Sequence, residues 1–128
     1  MAAVRSLAGR ILIATIFLIA GLSKIGSFSG TSQFMAAKGI PLADIALVIT
    51  ILIEILGGLS IILGYKAKWG AWILFGFMIP TTLIFHTNFS DQNQLIHFLK
   101  NLGIMGGLLY ITAYGVGPIS LDEKKKES

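Results

Sequence analysis

The 128-residue chain contains no cysteine. That absence removes disulfides, thiolate nucleophiles, dithiol redox centres and cysteine-ligated metal from any account of its chemistry. Charge is scarce as well, with 12% of residues charged against roughly a quarter in an ordinary soluble domain. The two histidines, His86 and His97, do not form the HxxH or HxxxH spacing that places two ligands on one helical face, so no metal site is expected. Phosphate-cradling glycine loops and nucleophile elbows are missing too. The net charge of +4 comes from basic residues scattered between apolar runs rather than gathered in a patch, which argues against nucleic acid as a partner.

What the chain has instead is hydrocarbon: 55% hydrophobic residues and a mean hydropathy of +0.82. Apolar runs cover residues 7–23, 41–63, 69–85 and 95–113, each near the ~20 residues an α-helix needs to cross ~30 Å of hydrocarbon. Lipid offers the backbone no hydrogen bonds, and the ten-residue alternation of a membrane barrel is absent. The expected fold is therefore all-α, an integral membrane four-helix bundle forming one domain over residues 1–120. The tail 121–128, with its DEKKKE run, is expected to be solvated and disordered. Ala20-Gly21-Leu22-Ser23-Lys24 is a poor signal-peptidase site, so the first run is read as a retained span. The linker 26–40 alternates Phe28, Phe34, Met35 and Ile40 with polar residues; an amphipathic outer segment and an ordinary surface loop both fit it.

Four spans place both termini on one side. Arg5, Arg10, Lys66, Lys68, Lys124, Lys125 and Lys126 fall on that side, and Lys24, Lys38 and Lys100 on the other. The positive-inside rule then puts both termini in the cytoplasm, with Tyr65, Trp69, Trp72, Tyr110 and Tyr114 as interfacial anchors at the same level.

Polar residues inside the spans carry the functional information, because an ionisable group in hydrocarbon needs a partner or a wet site. Arg10, Ala14, Phe17, Gly21 and Lys24 form one helical stripe, and Thr50, Glu54, Gly57 and Gly58 another. Glu54 is the carboxylate in mid-span, and an Arg10–Glu54 ion pair is expected as the buried electrostatic centre. Gly21, Gly57, Gly58, Gly103 and Gly107 are expected to admit close helix packing. Lys24, His86, His97, Lys100 and Asn101 fall toward the outer ends of their spans, where they could line a cavity; the plainer reading is that the lysines snorkel and the histidines sit at the interface.

At these residues the chain resembles the DoxX family of small four-helix bacterial inner-membrane proteins. The likeness lies in Gly9-Arg10-Ile11-Leu12, Phe17-x-x-Ala20-Gly21-x-x-Lys24-Ile25, Phe34-Met35-x-x-x-Gly39-Ile40-Pro41, Glu54-x-x-Gly57-Gly58, Phe85-His86 and His97-Phe98-x-Lys100-Asn101-Leu102 with Gly106-Gly107. It implies a four-helix inner-membrane fold and an association with respiratory or sulfur redox metabolism, and it transfers no catalytic residue set. Two readings of function stay open. In one, the protein is a membrane subunit of a redox system that offers a quinone a pocket, with His86, His97, Lys100 and Asn101 as hydrogen-bond donors and Phe17, Phe85 and Phe98 beside the ring. In the other it is a non-catalytic scaffold or assembly factor for other membrane proteins. A proton-coupled carrier is a third option and would require a homodimer, since the chain has no inverted repeat to supply a second gate.

Overall fold

The computed structural model describes residues 2–117 and 119–122. Among them are five helices and no strand: α1 (Ala2–Gly26), α2 (Phe28–Ala37), α3 (Ala43–Leu63), α4 (Ala67–Phe85) and α5 (Gln92–Tyr114). Four of these, α1, α3, α4 and α5, are long and apolar enough to cross a membrane. At ~1.5 Å per residue they reach from ~28 to ~38 Å, against ~30 Å of hydrocarbon. At most a third of each span's apolar window is buried within the protein. Leu12, Leu22, Leu56, Trp69 and Leu83 are all more than half exposed. In water such a surface would drive aggregation; in lipid it is the normal exterior.

The linker between the first two spans is the helix α2. Its only residues that are not exposed are Phe28, Thr31, Ser32 and Met35, an i, i+3, i+4, i+7 face that makes it amphipathic. That face packs on α3, where Met35 joins Leu47 and Ile51, and Ser32 Oγ donates to Asp44. Gly39, with φ +89°, turns the chain from α2 toward α3 in a conformation that suits a residue without Cβ.

At the opposite end, which carries both termini, α3 stops on the left-handed Gly64 (φ +67°), and a tight turn through Lys66 (φ +47°) starts α4. The Lys66 side chain, at the N-cap, makes no capping bond to α4. Asp122 caps the helix instead: its Oδ1 accepts from Lys66 N at 2.7 Å, its Oδ2 from Ala67 N at 3.0 Å, and its own N–H donates to Gly64 O at 2.7 Å. The expected solvated tail therefore does not begin at Leu121. A carboxylate that satisfies two orphan amides at a helix N-terminus has a reason to dock there. Residues 123–128 lie outside the described residues.

Glycine sets the helix register. In the antiparallel α1–α3 pair, Gly58 lies against Leu18 and the Ala14 carbonyl, and Gly21 against Ile55 and Glu54. Gly57 admits Leu74 from α4, and Gly107 admits Ile13 from α1. Gly103 is different: nothing of the protein comes within 4 Å of where its Cβ would stand. The expected packing role fails there: Gly103 shares a face with Gly107, one turn away, but among the described residues no side chain or neighbouring backbone comes close enough to use the space it leaves. The main core, including Phe17, Ile61, Leu74, Leu108 and Ile111, fills the termini end of the bundle. A smaller cluster lies under α2 at the other end, and a cavity opens beside it.

Candidate functional site

Four residues on the inward stripe of α1, Arg10, Ala14, Phe17 and Gly21, are its buried ones, and Lys24 continues the line half-buried. From that stripe Lys24 Nζ reaches Glu54 Oε1 on α3 at 2.8 Å. Glu54 is 4% exposed, so its charge is compensated almost wholly by this one ammonium.

The expected Arg10–Glu54 pair does not form. Gly21 stands level with Glu54, and Arg10 lies eleven residues from Gly21 along α1, ~16 Å of helix axis, beyond the reach of one side chain. Lys24 is three residues from Gly21 on the other side, under one turn away. Arg10 instead turns to the termini end and is 3% exposed. Its Nη1 donates to Ile62 O at 3.4 Å and its Nη2 to Ile119 O at 2.5 Å, which ties the segment after α5 to α1 and α3. Ser6 Oγ adds a bond to Val116 O at 2.7 Å.

The ion pair forms part of the wall of a cavity of about 560 Å³ between α3, α4 and α2. Phe34 and Phe85 stack on each other at 5.6 Å at its edge, and Phe77 and Met35 add apolar wall. Pro80, inside α4, also faces it. Proline has no N–H, so the Gly76 carbonyl one turn earlier loses its intrahelical partner. His86 and His97 line the cavity with their rings 5.1 Å apart. Burial, and then the neighbouring His97, hold the His86 imidazole below its ordinary pKa. A neutral ring of this kind offers one donor and one acceptor. Thr50 and Gln94 supply further polar atoms that sequence reasoning does not assign to a site. Gln94 sits in the first turn of α5, ahead of the apolar run that the sequence marks as the span, whereas Thr50, one turn from Glu54, shares the face that Glu54 marks.

Lys24, His86 and His97 thus come together, and Lys100 and Asn101 do not join them. With ~100° of rotation per residue, Lys100 and Asn101 fall to opposite sides of His97. Lys100 is exposed, and Asn101 Nδ2 donates to the buried Thr82 Oγ1 at 3.0 Å, a lock between α5 and α4. The aromatic assignments shift for the same reason. Phe85 lines the cavity, Phe17 is core, and Phe98 meets Phe89 edge-on outside it. Among the described residues, no three His, Asp or Glu side chains converge as a metal site would need.

A four-span helical bundle with a buried ion pair and a cavity under a short amphipathic helix defines a class of polytopic membrane protein. The chain belongs to the DoxX family, whose profile it matches over residues 6–87. It is 39% identical to Inner membrane protein YqjF of Escherichia coli (strain K12), over 91% of this chain and 88% of that one. It is 32% identical to Inner membrane protein YphA of the same strain, over 92% and 88%. A more distant likeness, 35% identity over 60% of this chain, links it to 26% of the ER-derived vesicles protein ERV29 of Saccharomyces cerevisiae. No solved structure matches it. The protein is thus a multi-pass inner-membrane protein of the DoxX family.

Proposed function

We propose that the protein binds a neutral, flat, lipophilic molecule of the quinone class in the cavity beneath α2, as a membrane subunit of a redox system. The observation that carries this reading is the Lys24–Glu54 pair set in a largely apolar cavity with aromatic residues in its wall. A balanced pair favours no net ligand charge, yet Lys24 keeps ammonium protons beyond the one given to Glu54, and these suit a carbonyl oxygen. The histidine pair provides a second polar pole across the aromatic wall. The chain has no cysteine to carry electrons, so the redox capacity belongs to the ligand or to a partner.

Calorimetric titration of the purified protein with a short-chain quinone tests this. Binding should saturate near one per chain. Thr50→Trp, which fills the cavity, should abolish it, and His86→Phe should weaken it about 10-fold, the loss of one buried hydrogen bond. Asn101→Leu, whose amide is committed to Thr82, should leave affinity unchanged. Non-saturable uptake, or saturable binding that Thr50→Trp leaves intact, refutes the cavity as the site.

The scaffold reading has one observation in its favour. α5 is the span least buried within the chain, at 11% of its apolar window, and Gly103 and Gly106 on it are open. Gly57 and Gly107, by contrast, are occupied by the chain's own helices. Co-purifying membrane proteins lost on Gly103→Leu, with quinone titration flat throughout, would decide for the scaffold.

Both termini belong in the cytoplasm in this proposal, from the excess of Lys and Arg at the termini end. Single cysteines introduced at Ala2 and at Gln92 meet no native thiol in competition. An impermeant maleimide added to spheroplasts should label Gln92→Cys and spare Ala2→Cys. The reverse pattern inverts the protein.

A further inference from the structure

A second concavity runs along the outside of the bundle, between α3 and α4. Its α3 wall is Ile49, Leu52, Leu56 and Ser60, and it meets Tyr65, Lys66 and Trp69 at the termini end. We propose that this groove holds the acyl chain of one anionic phospholipid, with the headgroup phosphate at Lys66.

Dimensions select the occupant. From Ile49 to Ser60 the groove follows ~16 Å of helix axis, close to the ~15 Å that one leaflet contributes to the hydrocarbon core. Its volume of about 360 Å³ over ~16 Å leaves a cross-section of ~22 Å². In an open groove this shallow a helix ~10 Å across rests on the rim, whereas a single extended hydrocarbon chain lies within it. The floor is low because two glycines, Gly57 and Gly70, face each other's helices there. Leu74 closes over the first and Ser60 over the second. The walls are apolar and open to the lipid side, with Leu52, Leu56 and Ile73 more than half exposed.

Chemistry selects the headgroup. Where the apolar walls end, Trp69 is 71% exposed, and Lys66 Nζ lies 5.6 Å from the Tyr65 ring centroid. Indole and phenol rings favour the headgroup level, and a cation beside them is placed for a phosphate. Among the described residues, the charged groups near this mouth are Lys66, Lys68 and Asp122, with the buried Arg10 behind them. The Asp122 carboxylate is turned to the Lys66 and Ala67 amides, so among the described residues the charged side chains open to the lipid are Lys66 and Lys68. The left-handed backbone at Lys66 is held by that same carboxylate, which sets where the ammonium emerges.

Native mass spectrometry of protein taken from equimolar phosphatidylglycerol and phosphatidylethanolamine bilayers reads the site directly. One phosphatidylglycerol per chain should persist at detergent levels that strip phosphatidylethanolamine. Lys66→Asn, which removes the charge and tolerates the left-handed backbone, should reduce that retention about 5-fold. Leu56→Trp, which fills the groove and leaves the headgroup site intact, should reduce it at least as much. Lys100→Asn, an exposed lysine elsewhere, should have no effect. Equal retention of the two lipids overturns the proposal, as does retention that survives Leu56→Trp, since the lipid would then be held by surface charge alone.

Discussion

Lys24→Met should lower unfolding stability in detergent by about 3 kcal/mol, and adding Glu54→Leu to it should restore most of that loss. The single change leaves a carboxylate that is 4% exposed with no cation, and a buried charge without a partner is among the most destabilising features a protein can hold. The double change removes both charges and leaves an apolar contact of similar volume. Glu54→Leu alone should cost less than Lys24→Met, because the lysine is 29% exposed along its side chain and can withdraw its ammonium toward the membrane surface. Arg10 supplies the control. It lies ~16 Å along the helix from the level of Glu54, so Arg10→Leu combined with Glu54→Leu should be additive within experimental error. A coupling between Arg10 and Glu54 as large as that between Lys24 and Glu54 would contradict the register described above. Thermal or denaturant melts of the four variants and their combinations are sufficient.

The same substitution at two glycines should have effects of opposite sign. At Gly57, an added methyl would stand 2.7 Å from Leu74 Cγ and within 3.0 Å of both its δ carbons. Leu74 is fully buried, so it has no empty rotamer to enter, and α3 and α4 must move apart. Gly57→Ala is expected to destabilise by about 2 kcal/mol, in the range of overpacked cores. At Gly103 the methyl meets nothing, and alanine gains the helix-propensity difference of roughly 0.5–1 kcal/mol. Melting temperatures of the two variants, measured in one detergent, should fall on either side of the parent. A fall at Gly103 as large as that at Gly57 would mean that a second molecule covers α5 under the conditions of the measurement.

The contrast between these glycines marks where the sequence could be read and where it could not. Span number and the inward stripe of α1 follow from periodicity alone: Arg10, Ala14, Phe17 and Gly21 recur at helical spacing and are the residues that α1 buries. The face of α3 that bears Glu54 and Gly57-Gly58 was equally legible, since a carboxylate beside small residues in an apolar run is stable only where it turns from lipid toward another helix. Pairing across helices was not legible. Which cation meets Glu54 depends on how far α1 slides along α3, and that is set by the fit of Gly58 against Leu18 and of Gly21 against Ile55, which no single-chain pattern displays. The same limit applies around α5. His97, Lys100 and Asn101 are neighbours by spacing, but a rotation of ~40° one way or ~60° the other separates a lock on Thr82 from a lysine in the open. Asp122 gives no signal of its own because it stands in a charged stretch that composition assigns to solvent.

That aspartate has a consequence for biogenesis. The first turn of α4 is stabilised by a residue 55 positions further along the chain, so when α3 and α4 first enter the bilayer as a hairpin, the amides of Lys66 and Ala67 have no side-chain acceptor. They stay exposed to the aqueous side until α5 has been inserted and the segment after it has folded back. Arg10 waits on the same event, because one of its two carbonyl partners, Ile119, arrives in that segment. The termini end of the bundle is consequently sealed last. A chain truncated before Asp122, or a fusion that keeps this segment from folding back, would leave an inserted four-span protein with an unfinished end for quality-control proteases to recognise.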